Sequence, residues 1–511
     1  MAITRNDPGV STDSDAQAAA AAGPSARGRK GGLVAGALGL GLLSGVLATL
    51  AFPPFGLWPL IFVAFVPMVV GTHWLAPPRW GKAVIGVGIG TFIAGQLSAG
   101  LAEGQVAAVF QLMPLFFALI FMGVAFRTQG FHARTHYRWL ALTTPLAWVA
   151  VDFIRASGSG VFNALGGTWA MPQYALFRIP TFLQPISIFG LYGLELLVLV
   201  INFAIGTLVV RRLHGLPFPR VMPAVVAGIV VAWTLLGFAL MGSPARGDRT
   251  VRVAAIQTGT DDPAPASVRA QRFARDVAQT RAAASQGARL AVWNEVGLDF
   301  DPRVEHTDEL KALARESNIH IAIGYGFTDS KARHHNEVVM LSPDGTFSQP
   351  YGKDHPGTFA GDYSDTQGTY PVKHTDFGVI GSVICYDMDF TDTARKMTRN
   401  GARLIAAPSN DVKAIAETHY THLVFRSIEN RVPTVKADEG YDSAIIDQWG
   451  RIENVTANPS GIAQRTLIAD VTLGSGKSPF VSLGDWFGWI AVAGVLAAIV
   501  LSRASVRRNR G

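Results

Sequence analysis

Between residues 33 and 241 the chain consists of long apolar runs broken by short polar loops. A run of about 18 apolar residues is long enough to cross a bilayer as a helix. Seven are read here, at 33–51, 59–75, 83–101, 106–126, 139–154, 186–210 and 221–241. From Val251 the pattern shortens to β-type runs alternating with segments of helical spacing. VRVAAIQTG, ARLAVWNE, 319–327, 377–386 and ARLIAAPSN predict strands, and 266–286, 308–317, 391–400 and 419–430 predict helices. NEVVMLSPDGTFSQPYGK predicts a hairpin turning at Pro343-Asp344-Gly345, and TVKADEGYDSAIIDQWGRI two strands around Trp449-Gly450. The stretch after Gly357 is Gly-rich and without period, which predicts a loop near the site these strands form. This alternation predicts an α/β sandwich. An eighth apolar run, 486–501, follows it.

Composition agrees with this division. The 511 residues are 49% hydrophobic and only 16% charged, with a mean hydropathy of +0.26, too apolar for a water-soluble chain of this size. The net charge of +7 does not point to nucleic acid, because the basic residues stand beside the apolar runs. Arg27, Arg29 and Lys30 precede the first run; Arg79 and Lys82, then Arg127, Arg134 and Arg138, then Arg211, Arg212 and Arg220 fill alternate loops; Arg503, Arg507, Arg508 and Arg510 follow the last. The other connections are poor in Lys and Arg. FPPFGLW has none, and LAEGQ carries only Glu103. By the positive-inside rule both termini are expected in the cytoplasm, with the domain after the seventh span outside it. The expected organisation is a disordered tail (1–32), a seven-span bundle (33–245), an extracytoplasmic domain (249–475), a last membrane helix (484–503) and a basic tail (504–511). The first run follows a long polar tail and precedes further spans, so it is not read as a cleaved signal peptide. Gly86, Gly88 and Gly90 lie within an apolar run and predict close helix packing rather than a phosphate loop.

Cys385 is the only cysteine, which excludes an intramolecular disulfide and a Cys-cluster metal site. It ends the apolar run FGVIGSVICYD, directly before a polar, helix-like segment. A thiol there can act as a nucleophile if a base takes its proton. Glu295, in AVWNEVG, can be that base, and Lys353, in QPYGKDH, can stabilise a developing oxyanion. Taken alone, each also has a plain reading: Cys385 as a core thiol, Glu295 as a turn cap, Lys353 as a solvated amine. His419 and His422 stand three apart on a predicted helix, but no carboxylate in the sequence stands at metal-ligand spacing to them, and no metal is expected. His334-His335 reads as a solvated turn.

These motifs resemble the nitrilase, or carbon–nitrogen hydrolase, superfamily. The resemblance covers about 252–472, through AAIQ, WNE, YGK, ICYD, PSND (408–411), R-x-x-E-N (426–430) and D-x-x-G (447–450). FPPFG (52–56), FNALGGTWA…FLQPISIFGLYGLELLVLVIN (162–202) and LGDWFGW (483–489) are similar to one membrane-bound family within it, bacterial apolipoprotein N-acyltransferase. That resemblance implies a four-layer α-β-β-α sandwich joined to a multi-span bundle, with a Glu295-Lys353-Cys385 triad and no cofactor. It implies that Cys385 takes an acyl chain from a membrane phospholipid as a thioester and passes it to the α-amino group of a diacylglyceryl-cysteine at an apolipoprotein N-terminus. The alternative is a membrane-tethered amidase or hydrolase with water as acceptor. Tyr386, through its backbone N–H, Asp387 and Asp362 are the expected supporting residues. Asp362 and Asp387 stand where the family usually has glutamate, each shorter by one methylene. Val412-Lys413-Ala414 replaces the family's usual aromatics, and ADEGYDSA (437–444) differs from its T-N-x-G-x-S segment. The chain is expected to act as a monomer in the cell membrane, without nucleic acid.

Overall fold

The computed structural model describes residues 24–102, 110–157, 167–243, 248–259, 266–356, 361–457 and 462–508. Most of the expected N-terminal tail, Glu103, the FNALG segment and part of the Gly-rich loop lie outside them. The helices of the first half are α1 (Pro24–Leu50), α2 (Val66–Val70), α3 (Gly81–Ala102), α4 (Met113–Arg134), α5 (Leu140–Ser157), α6 (Pro180–Leu183), α7 (Ile186–Leu213) and α8 (Val221–Leu240). The first turns of α1 fall within the 1–32 tail. Among the described residues, six helical stretches are long and apolar enough to cross a membrane: 30–50, 58–75, 113–134, 140–157, 186–213 and 221–240. The expected spans at 83–101 and 486–501 are also helical, but fall outside that set; the described apolar part of the last is Trp486–Val500.

The second stretch is not one continuous α-helix. It breaks into a 3₁₀ turn (Trp58–Phe62), α2 and a π turn (Gly71–Leu75), with Pro59 and Pro67 each at the start of a helical segment. Proline lacks the N–H that would continue the ladder. In a membrane the freed backbone groups need internal partners, and Asn202 of α7 supplies them. Its side chain accepts from the Phe65 N–H (2.9 Å) and donates to the Ile61 carbonyl (2.8 Å). Glycines set the approach of α3 to α1 and α2. A Cβ on Gly45 would stand 2.4 Å from the Thr91 Cβ, and one on Gly88 2.8 Å from the Met68 sulfur. The α3 glycines are therefore packing residues, as their apolar setting predicts.

The soluble half holds β1 (Thr250–Gln257), α9 (Ala266–Ser285), β2 (Leu290–Val292), α10 (Thr307–Ser317), β3 (His320–Thr328), β4 (His334–Leu341), β5 (Tyr351–Gly352), β6 (Asp362–Tyr363), β7 (Lys373–His374), β8 (Val379–Ser382), α11 (Asp392–Arg399), β9 (Leu404–Pro408), α12 (Lys413–Asn430), β10 (Thr434–Ala437), β11 (Ala444–Ile446), β12 (Ile452–Val455), β13 (Arg465–Thr472), α13 (Pro479–Leu483) and α14 (Trp486–Arg508). One mixed sheet runs β13-β1-β2-β3-β4-β5 with β6 beside β4; the other runs β12-β11-β10-β9-β8-β7. Side chains alternate across β1. Val253 and Ala255 join the core between the sheets, whereas Ala254 and Ile256 face the cluster under α9 and α10 with Leu310 and Leu313. Helices α11 and α12 cover the second sheet, giving four layers, α-β-β-α.

Helix α12 also docks on the bundle. Gly190, at φ 67°, breaks α7 near its start. The freed Leu191 N–H donates to Glu429 of α12 (2.9 Å), and one buried cluster runs from the bundle into the inter-sheet core. Two expectations need correction. His335 is not in a solvated turn: it is buried in β4, both faces of which are covered, where it stacks on Phe327 (4.5 Å) and lies within 3.3 Å of Asp329 and Glu337. The segment 434–452 enters three strands rather than two, since a turn at 438–443 lets β10 pair with β11. The Pro343-Asp344-Gly345 turn forms as predicted, with Gly345 at φ 83°.

Candidate active site

Strands β1, β2 and β3 are parallel, as are β8, β9 and β10, so the carboxyl ends of β2, β8 and β9 can gather at one edge. Glu295 follows β2, Lys353 follows β5 and Cys385 follows β8. All three line one cavity of about 520 Å³, together with Asn336, Asp362 and Arg272. The Glu295 N–H donates to the Ser409 carbonyl after β9 (3.3 Å), which ties the two sheets together at this edge.

The groups are closely coupled. Lys353 Nζ lies 2.8 Å from Glu295 Oε1 and 3.1 Å from Asp362 Oδ2. Asn336 Nδ2 donates to the same Glu295 oxygen (2.7 Å) and reaches Asp362 Oδ1 at 3.3 Å. The shorter Asp362 side chain thus still reaches the lysine, because β6 pairs with β4 beside Asn336. Burial alone depresses the Lys353 ammonium, but the neighbouring carboxylates of Glu295 and Asp362 outweigh it and hold the group well above its ordinary value. Cys385 is 9% exposed and sits at φ 43°, a left-handed conformation rare outside glycine, as at other sharp nucleophile turns. Burial, then the Glu295 charge, push its thiol well above the usual range, while Lys353 opposes the rise. The thiol is therefore protonated at rest and needs a base to react.

Asp387 braces this turn. Its carboxylate accepts from the Ile384 N–H (2.8 Å), the Tyr351 hydroxyl (2.6 Å) and the His355 N–H (2.8 Å), joining the cysteine turn to the lysine loop. Burial raises its carboxyl to about 6, with His355 opposing. Tyr386 lies in the 3₁₀ turn Cys385–Asp389.

Several groups here were not legible as site residues. Asn336 has no motif around it. Asp411 ends the PSND run, and its carboxylate lies 3.7 Å from the Cys385 sulfur. The fold also supplies what spacing did not show for the two histidines: Asp411 bonds His419 (2.6 Å) and Asp389 bonds His422, carboxylates brought in by β9 and the cysteine turn. Cys385, Asp411 and His419 thus each offer a ligand atom at one point, but Lys436 already holds Asp411 at 3.0 Å. In ADEGYDSA, Asp438 takes the Lys436 ammonium (2.8 Å), and Glu439 pairs with Arg272 at the cavity.

Two mixed sheets between helix layers, with these groups at their shared edge, define a carbon–nitrogen hydrolase fold, and the carbon-nitrogen hydrolase family model matches residues 252–478. The model of the apolipoprotein N-acyltransferase N-terminal domain matches 44–204. An apolipoprotein N-acyltransferase of Geobacter metallireducens is 26% identical over 92% of this chain and 96% of its own, and one of Thermotoga maritima 24% identical over 92% of each. An omega-amidase of Mus musculus is 24% identical over 44% of this chain and 89% of its own. The chain thus matches both domain models in turn and is similar along nearly its whole length to apolipoprotein N-acyltransferases, membrane-bound acyltransferases with a carbon–nitrogen hydrolase domain.

Proposed function

We propose that this protein transfers an acyl chain from a membrane phospholipid, through a Cys385 thioester, to the α-amino group of a diacylglyceryl-cysteine at an apolipoprotein N-terminus. The observation that carries the reading is the meeting of Glu295, Lys353 and Cys385 in one cavity of a membrane-bound chain. In the first step Glu295 takes the thiol proton and the sulfur attacks the ester carbonyl. The C–O bond breaks, and Glu295 returns the proton to the lysophospholipid alkoxide. In the second step the acceptor amine attacks the thioester and gives a proton to Glu295. The C–S bond breaks, and that proton returns to the sulfur. Lys353 faces the oxyanion of both tetrahedral intermediates, with the Tyr386 N–H as its expected partner. The covalent intermediate divides one difficult ester-to-amide exchange into two easier steps.

The membrane supplies both lipids at high local concentration. The Lys/Arg pattern supports a topology with both termini in the cytoplasm and the catalytic domain outside. Sidedness within the molecule supports this, because Pro53, Pro54 and Phe55 of the uncharged first loop share a cavity with Lys413, Glu417 and Asp442 of the catalytic domain. Eight spans satisfy that arrangement.

The test is transfer to a synthetic diacylglyceryl-cysteine peptide by the purified full-length protein, with phospholipid labelled in its acyl chain. An amide-linked acyl chain on the peptide is expected. Free fatty acid with no acylated peptide would instead mark a hydrolase using water.

A further inference from the structure

A second set of charged groups meets the nucleophile. Asp411 Oδ1 lies 3.7 Å from the Cys385 sulfur, within hydrogen-bond range for a thiol, and also accepts from His419 Nδ1 (2.6 Å) and the Ser409 hydroxyl (2.9 Å). Its other oxygen lies 3.0 Å from Lys436, and its N–H donates to Asp438 (3.2 Å). Asp411 and His419 are at most 3% exposed. A carboxylate so buried persists as an ion only when paired, and Asp411 is held from several sides. The cluster continues to the bundle. His419 Nε2 stands 3.6 Å from Asp389, Asp389 bonds His422, the Tyr174 ring stacks on His422 at 3.9 Å, and the Thr168 hydroxyl donates to the Asp389 carbonyl (2.7 Å). The triad chemistry uses none of these groups.

We propose that Asp411, oriented by His419, is a positioning residue for the transfer: it accepts the Cys385 thiol hydrogen in the resting site, fixing the direction of the sulfur lone pairs and disfavouring the thiolate until Glu295 takes the proton. This rests on the reading of Cys385 as nucleophile. The charged groups facing the sulfur are Glu295 after β2, Lys353 after β5 and Asp411 after β9. Asp362, His419, Lys436 and Asp389 stand behind them. Removing the Asp411 charge takes away one of the negative neighbours that raise the thiol, so the thiol midpoint falls. Loss of the hydrogen-bonded orientation slows attack in the same variant.

The experiment uses the full-length protein in lipid nanodiscs. Its single cysteine allows thiolate absorbance to be titrated against a Cys385→Ala blank. Asp411→Asn is expected to lower the midpoint while slowing acyl-adduct formation at least about tenfold, the scale of one hydrogen bond to a charged group. The phospholipid KM is expected to stay unchanged. His419→Asn, which keeps an N–H donor for Asp411, is expected to stay within about threefold of wild type, and His419→Phe to fall at least about tenfold. A midpoint that stays or rises in Asp411→Asn overturns the proposal. Where that variant does not accumulate, equal losses in the two His419 variants overturn it. A wild-type protein that forms no adduct would defeat the acyl-transfer reading, whereas the thiol midpoint still tests Asp411 independently.

Discussion

At the residue scale the decisive feature is how the cavity divides charge. Lys353 stands between two carboxylates, and Asn336 bonds both of them. Replacing Lys353 with Met leaves Glu295 and Asp362 facing each other unneutralised and removes the proposed oxyanion partner. Acyl transfer is expected to fall roughly 100- to 1,000-fold, measured as the rate of thioester formation. Asn336→Ala removes one charge-assisted bond to Glu295, the proposed base, with an expected loss of about tenfold or more. The thiol titration gives the sign of each charge. Glu295 raises the thiol and Lys353 lowers it, so Glu295→Gln is expected to shift the midpoint down and Lys353→Met to shift it up. Movement of both variants in one direction would contradict this arrangement. The three residues proposed as the triad could be picked out in the sequence because each follows a recognisable strand motif, and the fold brings them to one cavity. Asn336, Asp411 and His419 are not, because what matters about them is the partner that distant strands bring.

At the element scale, what can be read follows from local periodicity and what cannot follows from pairing. The strands β1, β3 and β4 and the turn at Gly345 stand where alternation and turn residues put them. The break at 58–75 was hidden because an apolar run reads as one helix, although Pro59 and Pro67 mark where it divides. Asn202 makes that break tolerable. Asn202→Leu orphans the Phe65 N–H and the Ile61 carbonyl, each expected to cost about 1–3 kcal/mol. At the α1–α3 crossing, Gly45→Leu forces atoms into space the Thr91 side chain occupies, at about 1–3 kcal/mol. Both variants are expected to lower the thermal midpoint in detergent, and an unchanged midpoint would contradict this account of the bundle.

At the scale of the whole molecule, the bundle and the catalytic domain share a buried core through α12 and its Glu429–Leu191 bond. The site is therefore fixed relative to the membrane rather than tethered to it. The charge pattern of the loops predicts which side it occupies, and a lone buried cysteine makes that measurable. In intact cells an impermeant maleimide is expected to label a Thr369→Cys protein and leave Arg79→Cys unlabelled until the membrane is opened. The reverse pattern would invert the topology. The central claim is the thioester, and mass spectrometry of the Cys385 peptide after incubation with phospholipid tests it most directly. The account predicts one added acyl chain, removed by neutral hydroxylamine and missing in Cys385→Ala; an unmodified Cys385, with acyl transfer still proceeding, would contradict it.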